Sequence, residues 1–447
     1  MKHFILIILI FLFSVQTGHT GIRRKSRPVR NKTELNLAAI DSCIYQKSDL
    51  DACLKLCKKI IIEDTENNYL VKIAENHINL ITDYSDYEQK PLMLYYKANE
   101  VNKNWRRGKV QSTAEWIEQG NLYREICEKY PDSKLAGFIH FLLAFHYYYQ
   151  RNHTLAYLEP DTAIQFAMKE FLIVINDYPD DIVPVWNPLS TNYIPGLRLA
   201  PLSHLQMAGI FEKKRFKKYY NINKAVEHYE KIIQKYSDEK DYRGYNMAIN
   251  ATIQLLNIYC DWNNYPNYSN ADTSKVRELC NRLLLELPNQ GFEYDEYIFG
   301  ETHPEALYRL AVFEKDKNKS INYYFRILEK FQEVWTGYAG CDATGLYCLK
   351  ALDGIMNNYS DENDKIRICK SIINSESKYS RTIRGHAQSR LANIYYQMNN
   401  YEKALIELQK VVDQFYDIHT SGEDMTLGYE AEVSIKELKL KMESMEK

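Results

Sequence analysis

One eleven-residue stretch, LYREICEKYPD at 122–132, returns along the chain in altered form, as EFLIVINDYPD and as HYEKIIQKYSD. Each copy carries an aromatic or apolar residue, an aliphatic residue three positions later and a second aromatic or apolar residue seven positions after the first. These offsets place all three residues on one face of an α-helix. The triplets are Tyr123/Ile126/Tyr130, Phe171/Val174/Tyr178, Tyr229/Ile232/Tyr236, Cys280/Leu283/Leu287, Tyr324/Ile327/Phe331 and Leu408/Val411/Phe415. The recurrence predicts a series of helices that all pack through the same face.

Small residues and prolines stand at fixed places around these triplets. Proline follows the last member at Pro131, Pro179 and Pro288, where it ends a helix. Alanine stands four residues before the first member at Ala167, Ala225 and Ala404. A second set of small residues lies on the helix upstream, in Leu143-Ala144, Met207-Ala208 and Leu391-Ala392. Small residues on two facing helices predict tightly packed antiparallel hairpins.

The stretch RLANIYYQMNNYEKALIELQKVVDQF at 390–415, with its short MNNYEK turn, resembles the tetratricopeptide repeat. The resemblance implies an all-α fold, an α-solenoid of about six to seven helical hairpins closed by a C-terminal capping helix. The last residues of successive triplets, from Tyr130 to Phe331, are separated by 44 to 58 residues. The family repeats every 34 residues or so, and long insertions between the repeats account for the excess.

The domain organisation follows from these patterns. We predict a signal peptide over 1–20, a flexible basic lead over 21–40 and an N-terminal helical region over 41–90. The repeat array is expected over 91–417 and the charged capping helix over 418–447. No alternating pattern is long enough to require a sheet.

The first residues have the form of an export signal. Lys2 and His3 precede an uninterrupted apolar run at 4–15, which is too short to span a bilayer. The basic residues that follow, between Arg23 and Arg30, resist translocation and leave an uncleaved anchor as the alternative. We therefore expect an exported protein, in the periplasm or cell envelope of a bacterium or in a secretory route otherwise. Weak membrane association through residues 1–30 is a further expectation.

Charge and motif content narrow the function classes. A net charge of −2, without an evident basic stripe interleaved with aromatic residues, argues against nucleic-acid binding. None of the nine cysteines forms a CxxC pair, and no HExxH or GxSxG motif occurs. No catalytic, metal or cofactor site is therefore predicted, and the chain is expected not to be an enzyme. If a disulfide forms, Cys341 with Cys348 is the expected pair.

Two insertions carry candidate contacts for a partner or ligand. The loop at 180–201 holds four prolines with Trp186 and Tyr193, which favours a preorganised aromatic surface. The stretch at 288–304 interleaves acidic residues with Phe292, Tyr294, Tyr297 and Phe299. The alternatives are a loop that covers an apolar edge in the first case and an extended linker between repeats in the second.

The leading hypothesis is an exported, non-catalytic scaffold that holds protein partners in the cell envelope. The repeats behind a signal resemble exported bacterial envelope repeat proteins, of the outer-membrane assembly lipoprotein and TolA-binding coordinator types. One alternative is a carbohydrate-binding receptor in which Trp186, Tyr193, Tyr294 and Tyr297 stack on a glycan. A third is an α/α-toroid hydrolase, which would need a pair of inward carboxylates.

Overall fold

The computed structural model describes residues 32–63, 67–106, 112–150, 157–184, 196–241, 244–261, 270–294, 297–336, 346–419 and 426–446. These residues form eighteen α-helices and three short strands. The chain divides into two compact units, Met1–Ala251 and Thr252–Lys447. The predicted all-α fold of consecutive helical hairpins is confirmed.

The first unit contains nine complete helices among its described residues. They are α1 (Lys32–Asp41), α2 (Leu50–Glu63), α3 (Asn68–Asp83), α4 (Lys90–Arg106), α5 (Thr113–Lys129), α6 (Ala136–Gln150), α7 (Pro160–Asp177), α8 (Leu199–Phe211) and α9 (Ile222–Lys235). Helices α4 with α5, α6 with α7, and α8 with α9 pack as hairpins, and α5 and α7 also contact the helix that follows each. The unit boundary falls within α10 (Met247–Tyr259).

The second unit continues the series. It contains α11 (Thr273–Leu285), α12 (Thr302–Phe313), α13 (Lys317–Lys330), α14 (Tyr347–Asn358), α15 (Glu362–Ile373), α16 (Arg381–Gln397), α17 (Tyr401–Phe415) and α18 (Leu427–Glu446). Helices α12 with α13 and α16 with α17 form hairpins, and α18 packs against α17 and α16. Between α14 and α15 the Cys369 thiol lies 3.8 Å from the Met356 sulfur.

Four of the six helices that carry the repeated triplet end in the same way. Tyr130, Tyr178, Tyr236 and Phe331 each leave the helix at φ between −134° and −130°. The Tyr178 hydroxyl donates to the Pro131 carbonyl at 2.8 Å, so one closure is tied to the preceding one. Side-chain oxygens cap the starts of five of the six triplet helices, at Ser112, Asn221, Asp272, Asp316 and Asn400, and Asp361 caps α15 in the same way. Such a cap contributes about 1 kcal/mol.

The predicted small residues lie where the paired helices meet. The alanines of α6 and α7, of α8 and α9, and of α16 and α17 are at most 1% exposed. A buried polar pair joins the two helices of each of these hairpins at the same repeat position. Its members lie four residues before the first alanine and three after the second, and they are His140 with Glu170, His204 with His228, and Gln388 with Glu407. The pair fixes how the two helices slide past each other, since a buried polar group is costly without its partner.

Two expectations need correction. The flexible lead expected over 21–40 is wrong from Lys32 onward, where α1 begins. Ile40 is 1% exposed, and Asn67 donates to the Thr33 hydroxyl at 2.7 Å, so this segment is packed. A small sheet also forms where none was expected, because β1 (Phe292–Tyr294) pairs antiparallel with β2 (Tyr297–Phe299), which pairs parallel with β3 (Val334–Trp335). The predicted domain boundaries at 90 and 417 stay predictions.

The export signal and the proposed disulfide fall largely outside the described residues. Residues 1–31 and Cys341 are not among them, whereas Cys348 is a buried free thiol that donates to the Gln332 carbonyl at 3.0 Å. Within the described ranges, no helix combines the length and apolarity needed to cross a bilayer.

The histidine pair of the α8–α9 hairpin makes stability depend on pH. Burial lowers the pKa of His204 to about 3, with the His228 and Lys231 charges adding to the effect. Burial also lowers the pKa of His228 to about 4, and Lys231 and Lys224 contribute. The Nδ1 atoms lie 2.7 Å apart, so one neutral ring donates to the other. An unfolded histidine has a pKa of about 6.5. As the pH falls, the unfolded chain therefore binds protons at a higher pH than the folded chain does.

We therefore expect the free energy of unfolding to fall as the pH drops from about 6.5 toward 4. Replacing His204 by Asn should reduce that slope by up to about 1.4 kcal/mol per pH unit, because one titrating group is removed. Urea denaturation between pH 8 and 5 measures both slopes. If the wild type and the His204→Asn variant lose stability equally steeply below a pH of about 6.5, the pair does not have this role.

A second expectation concerns the close approach of Gly354 in α14 to α13. A Cβ at this position would overlap the Tyr324 ring. Gly354→Ala should therefore destabilise the fold by about 1–3 kcal/mol, as overpacking does. The control is Gly209→Ala in α8, whose Cβ would meet only the flexible Lys213 Nζ at 3.4 Å. That change should stabilise by about 0.5–1 kcal/mol, and urea titrations that rank the two variants in the opposite order would refute the packing argument.

Candidate functional site

The aromatic contacts expected from the sequence are only partly described. Trp186 and Tyr193 lie outside the described residues. The other four stand on the β1–β2 hairpin, where Phe292 is opposite Phe299 and Tyr294 is opposite Tyr297. Their stretch is therefore a hairpin rather than an extended linker. The structure describes the backbone of these four residues, and their contact role stays a prediction.

A row of side-chain contacts joins the first helices of successive hairpins in the second unit. From α10, Asn257 accepts from an Arg309 terminal nitrogen on α12 at 2.7 Å. Tyr347 on α14 donates to Glu305 on α12 at 2.7 Å. The row continues through α16 to α18, with Arg390 Nε to Asp353 Oδ1 at 2.6 Å and Lys441 Nζ to the Tyr396 hydroxyl at 3.0 Å. Each contact crosses from one hairpin to the next or to the terminal helix, so the row fixes the register of the stack.

The centre of the row is a buried ion pair. Arg309 is 3% exposed, and its Nε donates to Glu305 at 2.5 Å. Burial alone would raise the pKa of Glu305, but the Arg309 charge and the hydrogen bonds from Tyr347 and Arg309 hold that pKa below its usual value. Burial works against the charge of Arg309, and the Glu305 carboxylate nevertheless raises the arginine pKa. Both groups are therefore charged at neutral pH.

The outer side of this row faces solvent. Asp353 and Asn393 are exposed, Tyr396 is 40% exposed, and Lys350 and Arg390 are half-buried. Burial lowers the pKa of Lys350, and the Glu305 charge partly offsets this effect. We call the surface formed by these five residues of α14 and α16 the first-helix face. It mixes donors, acceptors, both charges and an aromatic ring on rigid helices, which suits recognition of a peptide's backbone and side chains.

Other buried polar groups are occupied structurally. His140 lies 2.6 Å from Glu170, and the His146 ring stacks on Trp116 with its Nε2 3.2 Å from the Tyr157 hydroxyl. Both histidines are therefore packed and hydrogen-bonded within the fold. Within the described part of the chain, no cluster of three or more His, Cys, Asp or Glu side chains is arranged to hold a metal ion.

Sequence reasoning missed two features. The first is the ion pair of Glu305 with Arg309, whose four-residue spacing on a helix was the available signal. The second is the run KKRFKKYY at 213–220, which is a basic stripe with interleaved aromatic residues. The expectation that the body of the chain has no such stripe is wrong there.

Comparison with known proteins adds one specific match. Residues 386–415, in the α16–α17 hairpin, match the tetratricopeptide repeat family model. No curated protein sequence matches the chain. The crystal structure of yeast Tom70 aligns with 92% of this chain and 82% of its own at 13% identity and a TM-score of 0.25, which is too low to bear on fold or function. The similarity to the tetratricopeptide repeat family thus covers this one hairpin.

The buried ion pair gives a stability prediction. Glu305→Gln leaves the Arg309 charge buried without a carboxylate and should cost about 3–5 kcal/mol. The matched control is Asp364→Asn, which breaks a pair with Arg367 on the exposed side of α15. Exposed pairs contribute little, so this variant should unfold close to the wild type. Urea denaturation compares the two, and similar midpoints would show that the ion pair does not hold the first helices together.

Proposed function

We propose that this protein is a non-catalytic repeat scaffold that binds protein partners through its first-helix face. The observation that carries the proposal is the row of contacts from α10 to α18, which joins α14 and α16, the two helices that carry the first-helix face. A surface that is rigid before binding loses little conformational freedom on association. The tetratricopeptide match at 386–415 supports a scaffold, because such arrays present extended binding surfaces.

We further propose that the chain is exported and acts in the cell envelope. The support is the apolar run at 4–15 behind Lys2 and His3, together with the resemblance of the repeats to exported envelope proteins. Fractionation of cells that express the native chain, with mass spectrometry of its N-terminus, tests both export and cleavage near residue 20. Recovery of uncleaved protein in the cytosol would overturn the proposed location and leave the scaffold proposal standing.

Binding is tested by affinity capture of the tagged full chain from gently solubilised envelope fractions, followed by titration of the most enriched partner. The variant Lys350→Glu/Asn393→Arg should raise that partner's Kd about tenfold or more. It reverses the charge at position 350 and places a larger side chain at position 393. Its melting temperature is measured beside that of the wild type, because Lys350 is half-buried and its charge interacts with Glu305, and affinities are compared where both proteins are folded.

The control variant Lys370→Glu/Gln409→Arg places the same changes on exposed positions of α15 and α17, outside the first-helix face. It should bind like the wild type. Capture of no partner, or equal affinity of both variants for every partner recovered, would overturn binding through this face.

A further inference from the structure

The turn between α8 and α9 carries a dense positive charge. Five of the six residues at 213–218 are Lys or Arg. Lys214, Arg215, Lys217 and Lys218 are exposed, and none of the four forms a salt bridge with another described residue. We call residues 212–221 the basic turn. Its charge stands out locally in a chain whose net charge is only −2.

The basic turn is ordered by its aromatic residues. Phe216 is 8% exposed, and its ring meets Tyr148 of α6 at a centroid distance of 6.5 Å. The Phe216 carbonyl accepts from the backbone N–H groups of Tyr219 and Tyr220 at 2.8 Å each. The Tyr219 hydroxyl donates to the Asp161 carbonyl at 2.9 Å, which anchors the turn at the start of α7. The cations are therefore presented from a fixed backbone, so a ligand need not order the turn.

Beside the basic turn lies an apolar groove along α7. It encloses about 370 Å³ and is lined by residues including Met168, Lys169, Leu172, Ile173, Asp177 and Tyr219. We call it the α7 groove. Leu172 is 39% exposed. The recess thus joins an apolar surface to the cations of the turn.

The matched positions of α9 and α17 show that the repeat does not require this apolar surface. Leu172 and Ile173 stand five and six residues after the packing alanine Ala167. The same positions hold Glu230 and Lys231 in α9, and Gln409 and Lys410 in α17. Polar residues are the norm on a helix face that meets water. The packing of the hairpin does not require leucine and isoleucine there.

We propose that the α7 groove and the basic turn together bind an acidic amphipathic helix of a partner protein. An amphipathic helix binds by laying apolar residues at spacings of three and four into such a groove. The groove extends from Gln165 to Asp177, which corresponds to about 18 Å of helix. Glutamate or aspartate on the flank of the bound helix pairs with Lys214, Arg215, Lys217 and Lys218. Asp177 at the opposite end repels acidic residues, so the acidic part of the ligand lies toward the turn.

Two features favour a protein helix over a nucleic acid or an anionic membrane. Of the three aromatic residues of the basic turn, Phe216 is buried and Tyr219 is bonded to the α7 backbone, which leaves Tyr220 alone, 39% exposed, to stack on a base. The apolar residues line an open groove about one helix long, and these dimensions match a bound helix. This site lies in the first unit and is separate from the first-helix face of the second, so each proposal can fail without the other.

The test uses the full chain and two displayed libraries of one helix, about 18 residues long. Both vary the apolar positions among Leu, Ile, Met and Phe, and the polar face is Glu in one library and Lys in the other. The Glu library should be enriched and the Lys library should not. Selected peptides should bind with micromolar Kd by fluorescence anisotropy, and affinity should fall as salt is raised.

Two variants locate the binding. Leu172→Asp in the groove, and Lys214→Glu/Lys217→Glu/Lys218→Glu in the turn, should each weaken the Kd about tenfold or more. The controls are Ile406→Asp, at a 56% exposed apolar residue of α17, and Lys317→Glu/Lys319→Glu/Lys330→Glu on α13, and both should bind normally. The first-helix variant Lys350→Glu/Asn393→Arg should also bind these peptides normally.

Several outcomes would overturn the proposal. These are no enrichment over the Leu172→Asp protein, equal enrichment of both libraries, or binding that the control variants weaken equally. Vesicles containing phosphatidylserine and a single-stranded RNA serve as rival probes. One result would assign the basic turn to such a ligand. The vesicles or the RNA would bind, the charge reversal would abolish that binding, Leu172→Asp would leave it unchanged, and no peptide would be selected. The helix proposal would then be wrong.

Discussion

The close approach of paired helices at buried alanines is the constraint on which the rest of the structure depends. Ala144, Ala167, Ala208 and Ala225 are fully buried on paired helices, and short polar side chains bond between the same helices. The polar pairs at matched positions then choose one register among several that apolar contacts alone would allow, because a shifted register would leave them buried and unbonded. Everything on the surface is positioned by that choice.

The surfaces formed by the first helices and by the second helices of the hairpins consequently differ in what they offer a binding partner. First helices in the second unit contact each other through polar side chains, from Asn257 to Lys441, so their outer side is already rigid and varied in chemistry. The second helices α9 and α17 carry polar residues at the positions that match Leu172 and Ile173. Helix α7 departs from this rule, and the departure coincides with an ordered cationic turn. One repeat plan thus supplies a frame on which separate binding surfaces can be built.

Specific residues show how far the sequence predicted the fold. The period of the triplets, the alanines and the Tyr-Pro closures predicted the hairpins, since helix periodicity and helix-ending residues are local properties. The small sheet escaped prediction because its strands are only two or three residues long and one pairing joins segments far apart in sequence. Helix α1 escaped it because burial of Ile40, rather than a periodic pattern, stabilises that segment.

The sequence by itself determined that the chain forms helical hairpins in series, because apolar spacing and small residues act through neighbours along the chain. It also contained the cations at 213–218 and the apolar pair Leu172-Ile173. Only the tertiary structure decided that Tyr219 joins these two segments, some forty residues apart, and that Glu305, Arg309 and Tyr347 meet across helices. Contacts between distant segments depend on how helices pack, and helix packing is a property of the whole unit.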